Sequence, residues 1–201
     1  MASILVVCTG NVCRSPVAEG LLRAALQRRF GDRAPTVASA GTAGWEGAGA
    51  QPGSVRAAAE LGVDISGHRG RRLLGRHLDE ASLVLAMAGE HRDGVLSILP
   101  PAAERAFTLK ELVRLLEALP PVEPVDEDAA PAATLEVRLA EAGALRRTGF
   151  AGNERDEDIA DPLGMPDVVY RAVAGELAEW IERLATGLFG RTRAPAAVEG
   201  S

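Results

Sequence analysis

Cysteine is scarce in this chain: two in 201 residues, and both fall in one short stretch as Cys8 and Cys13. That leaves no disulfide framework to staple the fold. Basic residues are also outnumbered, 22 Lys and Arg against 28 Asp and Glu, for a net charge of −6. A nucleic-acid binder needs a basic face, so no nucleic-acid partner is expected. No apolar run approaches the about 20 residues of a membrane span, and the N-terminal run is too short for a signal-peptide core. No membrane partner is expected, and a reducing, cytoplasmic location is. No internal repeat is visible. No cluster of metal-ligating side chains stands out, so neither metal nor cofactor is expected.

What is present is ample apolar material, 47% of residues, arranged in alternating strand and helix patterns. Ile4-Leu5-Val6-Val7 and Leu83-Val84-Leu85-Ala86-Met87 read as strands buried on both faces. Thr36–Ser39 and Ala106–Leu109 are two further strand candidates. Helical periodicity covers 16–30, Val55–Leu61 (closed by Gly62), Glu90–Leu99, Lys110–Leu119 and Val168–Leu188. Strands alternating with helices predict a parallel α/β sheet covered on both faces, a three-layer sandwich. One domain is expected over 1–190. It carries an acidic, proline-rich insertion at about 120–158, with Pro120–Pro131 reading as an extended, mobile linker and Leu135–Arg147 as a short helix. Residues 191–201 read as a flexible tail.

The richest stretch is Cys8-Thr9-Gly10-Asn11-Val12-Cys13-Arg14-Ser15-Pro16. It leaves the first strand and enters a helix, because Ser15 and Pro16 are helix-start signals. Backbone N–H groups of such a turn bind an anion, and the same field favours a thiolate nucleophile. Arg14 offers a planar fork for two phosphoryl oxygens, which lysine cannot match. Gly10 is expected to allow close backbone approach, and Asn11 to tolerate a left-handed conformation. Ser15 is placed to hydrogen-bond the Cys8 sulfur. The chemistry implied is binding and attack of a phosphate group, at the strand end where open α/β sheets place ligands.

The run Val6–Glu19 resembles the signature of the low-molecular-weight protein tyrosine phosphatases. Further matches follow in family order: Ser39-Ala40-Gly41-Thr42, Asp64-Ile65-Ser66-Gly67-His68-Arg69, Leu85-Ala86-Met87, Phe107-Thr108-Leu109-Lys110-Glu111 and Asp161-Pro162. The resemblance implies a four-stranded parallel sheet with the phosphate-binding loop after the first strand. It implies Cys8 as nucleophile, Arg14 as phosphate clamp and Asp161 as general acid, with no cofactor. Thr9, Gly10, Asn11, Val12, Cys13 and Ser15 would form the phosphate cradle, with Asn11, Ser15 and His68 also in a supporting network. For His68 a plain surface histidine is the competing reading. Cys13 is either a small apolar filler or, as the family implies, the partner of Cys8 in a protective disulfide.

Substrate choice rests on the walls of the slot. The resemblance places Trp45 at one wall, where its indole is alternatively a lid over core residues, and Leu163 where many members carry an aromatic residue. An arginine-phosphatase branch resembles this chain at Cys8-Thr9-Gly10-Asn11 and Phe107–Glu111 but has threonine where Val12 stands. Phosphotyrosine in proteins is therefore the expected substrate, with a cognate tyrosine kinase as a possible partner and a monomer or weakly self-associating chain. Protein phosphoarginine is the alternative. Small-thiol-coupled arsenate reduction and a non-catalytic phosphate sensor are two further readings; the absence of cysteine after Cys13 counts against a thioredoxin-coupled reductase, and Asp161-Pro162 against the sensor. The 120–158 insertion reads as an inert surface loop or a docking segment.

Overall fold

Ile4, Val6 and Cys8 alternate with Leu5 and Val7, and in the computed structural model these two sets enter separate apolar clusters. The structure describes residues 2–122, 130–150 and 157–191. Four strands, β1 (Ser3–Cys8), β2 (Thr36–Gly41), β3 (Leu83–Ala86) and β4 (Ala106–Thr108), form one sheet in the order β2-β1-β3-β4. Every pairing is parallel, with Val7 between Ala40 and Ala86 and Cys8 opposite Gly41. The strand order reverses beside β1, so the switch point falls at the end of the strand that carries Cys8.

Helices cover both faces, which gives the three-layer α/β sandwich the sequence predicts. On the Ile4/Val6/Cys8 face lie α1 (Arg14–Phe30), α2 (Pro52–Glu60), α5 (Leu109–Ala118), α6 (Pro131–Arg147) and α7 (Asp167–Phe189), which bury Leu22, Ala57, Leu112, Leu135 and Leu177 among others. On the Leu5/Val7 face lie α3 (Gly75–Asp79) and α4 (Gly89–Ile98), through Leu78 and Val95.

Several boundaries differ from those read off the sequence. The second and sixth helices begin at Pro52 and Pro131, each in the first turn, where the missing N–H of proline costs nothing. Pro131 therefore opens a helix rather than ending a linker; residues 123–129 of that linker and 192–201 of the tail lie outside the described residues. Within the insertion, α6 is not a surface loop. It buries Leu135, Leu139 and Ala142, and its Arg138 donates to the carbonyls of Gly187 and Leu116, the C-terminal turns of its two neighbours. Arg146 lies 3.6 Å over the Phe107 ring and donates to the carbonyls of Ala103 and Ala106. The short α3 escapes sequence reading because five residues cannot display a helical period.

Candidate active site

Five consecutive carbonyls of the loop after β1 point outward. The N–H groups of Thr42, Ala43, Trp45 and Gln51 donate to the carbonyls of Cys8, Thr9, Gly10 and Val12, at 2.8–3.0 Å. The Asn11 carbonyl accepts from His68 Nε2 at 2.8 Å. In a trans peptide the N–H points opposite to its C=O, and no peptide here is cis. The N–H groups of Thr9 to Cys13 are thereby turned toward the inside of the loop, where the first turn of α1 adds its own. Asn11 makes the turn at φ 56°, the left-handed region.

Within the protein itself the tightest approach is made not at Gly10 but by the segment that wraps the loop. A Cβ at Gly10 would meet nothing nearer than a Val12 methyl at 3.4 Å, which is ordinary contact. A Cβ at Gly41 would lie 2.3 Å from the Thr9 carbonyl oxygen, and one at Gly44 2.2 Å from that of Arg71. The segment that wraps the loop, not the loop itself, requires the missing side chains.

Behind the loop a chain of hydrogen bonds fixes Asn11 and Ser15. The Arg71 N–H donates to Asn11 Oδ1 at 2.9 Å, which fixes the orientation of that amide. Its Nδ2 then donates to Ser15 Oγ at 2.9 Å and to Ser39 Oγ at 2.8 Å, and Ser39 Oγ donates to Glu19 at 2.5 Å. Ser15 Oγ lies 2.9 Å from Cys8 Sγ, and toward a Cys8 thiolate the hydroxyl is the donor. Asn11 and Ser15 are fully buried, so they meet an anion through the backbone while their side chains stay in this network. His68 lies in the network as well, on the Asn11 carbonyl. Sequence reading does not single out Ser39, Glu19 or Arg71 as site residues; Glu19 and Ser39 lie within stretches that carry the family resemblance, which is their only signal.

In front of the loop is a cleft of about 80 Å³ lined by Cys8, Thr9, Gly10, Val12, Cys13, Arg14, Trp45, Asp161 and Leu163. Trp45 and Leu163, 47% and 42% exposed, are walls rather than core. Arg14 is buried and reaches across the cleft floor: Nη1 donates to the Ile159 carbonyl at 3.1 Å and Nη2 to Asp161 Oδ2 at 2.6 Å. Asp161 is itself turned by the Leu163 N–H, which donates to Oδ1 at 3.1 Å. Cys13 is a free thiol, like Cys8. Burial, with the charge of Asp161 second, pushes it up to about 11, against hydrogen bonds from Ser54 and Tyr170 that lower it. It stays protonated at neutral pH. His91, also missed by sequence reading, is buried with Nε2 2.8 Å from Thr9 Oγ1. Its only signal was its place one turn into the helix that leaves β3, on the ligand-binding edge of the sheet.

A cysteine on an inward-facing amide loop, an arginine from the first turn of the following helix and a carboxylate across the cleft define the class of cysteine-dependent phosphatases. Residues 3–130 match the family model of the low molecular weight phosphotyrosine protein phosphatases, and the chain belongs to that family. It is 33% identical over 187 residues to a protein-arginine-phosphatase of Geobacillus stearothermophilus, covering 92% of this chain and 95% of that one. It is 39% identical over 110 residues to a probable low molecular weight protein-tyrosine-phosphatase, EpsP, of Ralstonia solanacearum, covering 55% and 72%. Among solved structures, a low molecular weight protein tyrosine phosphatase from T. tengcongensis superposes with a TM-score of 0.69 at 33% identity, over 94% of this chain and all of that one.

Proposed function

We propose that this protein hydrolyses phosphotyrosine in protein substrates through a phosphocysteine intermediate. The observation that carries the reading is the convergence on one small cleft of the Cys8 sulfur, the inward N–H groups and the Arg14–Asp161 pair. Cys8 Sγ attacks phosphorus in line and the bond from phosphorus to the tyrosyl oxygen breaks, with Asp161 giving that oxygen its proton. Asp161, then ionised, takes a proton from water, whose oxygen attacks phosphorus and expels the Cys8 thiolate. Arg14 and the loop N–H groups hold the equatorial oxygens throughout, where charge is greatest. Ser15 donates to the sulfur as it leaves.

An aryl group suits the walls. Val12, Trp45 and Leu163 offer methyl and indole surface to an aryl ring, while Asp161 is the carboxylate in the same cleft that could accept from the N–H groups of a phosphoguanidine. Phosphoarginine is kept as a second reading because a relative matched over 95% of its length bears the name protein-arginine-phosphatase. The substrates this reading assigns are the products of protein tyrosine kinases, met in a reducing compartment where a catalytic thiol survives.

Paired assays on phosphotyrosine and phosphoarginine peptides decide the substrate. The chemistry is tested by Asp161→Asn. This variant should lose far more kcat/KM on phosphotyrosine than on an aryl phosphate with a very acidic leaving group, because a phenol of pKa near 10 leaves badly without a proton. Equal losses on the two substrates would remove Asp161 from the role of acid.

A further inference from the structure

Thr9 follows the nucleophile directly, and its hydroxyl has a definite bonding state. Nδ1 of His91 is buried with no partner among the described residues. A proton there would be an orphaned buried donor, costlier than a bare lone pair. The proton therefore sits on Nε2 and donates to Thr9 Oγ1 at 2.8 Å. The Glu90 carboxylate, 3.3 Å from the same Nε2, also favours a proton on that nitrogen. Thr9 Oγ1 accepts a second bond from Arg14 Nη2 at 3.4 Å. A hydroxyl oxygen has two lone pairs, and both are now taken. Its remaining valence is its own proton, on a residue that lines the cleft.

We propose that Thr9 adds a side-chain hydroxyl donor to the phosphoryl group bound in the cleft, and that His91 is the positioning residue that turns this hydroxyl to the anion. The proposal rests on the phosphatase reading for its ligand, though its geometry needs only a phosphate in the cleft. His91 suits the task because it carries no charge at neutral pH. Burial and then the charge of Arg14 push it down to about 4, while Asp158 and Asp161 act the other way. A neutral imidazole can sit beside the Arg14 guanidinium without repelling it. A donor beyond the backbone cradle would strengthen the grip on an equatorial oxygen as charge gathers there.

The test is a double-mutant cycle with Thr9→Val, which keeps the shape and removes the hydroxyl, and His91→Leu, which removes the donor to it. Two readouts are taken: binding of inorganic phosphate by calorimetry, and kcat/KM on p-nitrophenyl phosphate. Each single variant should lose roughly tenfold in both, the effect of one hydrogen bond to a charged group. The double variant should be no worse than Thr9→Val, because without the hydroxyl His91 has nothing to aim. His91→Gln, whose amide N–H can replace Nε2–H, should recover most of the loss, and it guards against a His91→Leu that merely folds poorly. A His91→Leu loss equally large in the Thr9→Val background would make His91 structural and overturn the proposal. So would a Thr9→Val protein that binds phosphate as the wild type does. Phosphate binding requires no turnover. A wild type that fails to hydrolyse phosphotyrosine would thus overturn the phosphotyrosine reading while the binding cycle still decides Thr9 and His91.

Discussion

Ser15→Ala removes one oxygen from the interior and separates the two chemical steps. The lost hydroxyl accepts from Asn11 Nδ2 and lies in reach to donate to a Cys8 thiolate, each at 2.9 Å. The bond to sulfur matters most when the thiolate leaves, in hydrolysis of phosphocysteine. A hydrogen bond to a charged acceptor contributes about 1.5–3 kcal/mol, so the second step should slow by roughly 10- to 150-fold. The first step should slow less, since donation from Ser15 lowers the nucleophilicity of the sulfur and helps it chiefly as a leaving group. The folded state loses one partner for Nδ2, while the bond to Ser39 remains; a cost of about 1–3 kcal/mol covers the stranded hydrogen. Rapid mixing with p-nitrophenyl phosphate should show a burst of nitrophenol approaching one equivalent, followed by a slow steady state. Acid quenching should trap phosphate on Cys8. Unchanged kcat, or a slow variant with neither burst nor trapped phosphate, would refute the assignment of the Ser15 proton to the sulfur.

Two further expectations follow from the site. Gly41→Ala places a Cβ 2.3 Å from a backbone oxygen of the loop, so the loop must shift; a destabilisation of about 1–3 kcal/mol in denaturant titration and a large loss of phosphate affinity are expected, and wild-type values in both would mean the close approach is not maintained in solution. Because Cys13 is held up to about 11, its thiol is protonated far above neutrality. Iodoacetamide near neutral pH should therefore label Cys8 and spare Cys13 in peptide maps, and preferential labelling of Cys13 would contradict the burial that raises it.

The sheet was legible because β1 and β3 are short apolar runs bounded by turn residues. The cradle was legible because nine adjacent residues carry it. What escaped was whatever depends on long-range contact. His91 is a lone histidine on a helix, and only the register of β1 against β3 brings it to Thr9, 82 positions away in sequence. Ser39 and Arg71 reach Asn11 in the same way, from a strand and a loop that no local pattern links. The sixth helix begins four residues earlier than its apolar pattern shows, because acid and proline in the preceding segment suggest a linker that runs through Pro131. Its buried Arg138 also blurs the apolar stripe, since an arginine that satisfies the end carbonyls of two neighbouring helices looks, in sequence, like a surface residue. Gly41 and Gly44 make tight contacts with backbone across the wrapping segment that no local pattern announces.

The scattered matches make mechanical sense once Asp161 is traced to its supports. Arg14 and Asp161 are 147 positions apart, and the segment before Asp161 is tied down residue by residue. Ile159 donates its N–H to the Met87 carbonyl at 2.8 Å and offers its own carbonyl to Arg14. Asp158 accepts the Gly89 N–H, at the start of α4, and its carbonyl accepts from the buried Lys110. Glu157 is held by Thr108 and Arg114. The Phe107–Glu111 and Leu85–Met87 stretches thus support the Asp161 segment rather than the cradle: one ends a strand and starts a helix, the other ends the strand beside it, and together they anchor 157–159. Asp161 lies just past the last anchor, with its side chain 43% exposed on the buried guanidinium. An entering phosphate dianion competes for that guanidinium, and the carboxylate can swing off it without disturbing the three residues behind. A firm anchor followed by a short free reach is what a group needs if it must pair with Arg14 before substrate arrives and face the leaving oxygen afterwards.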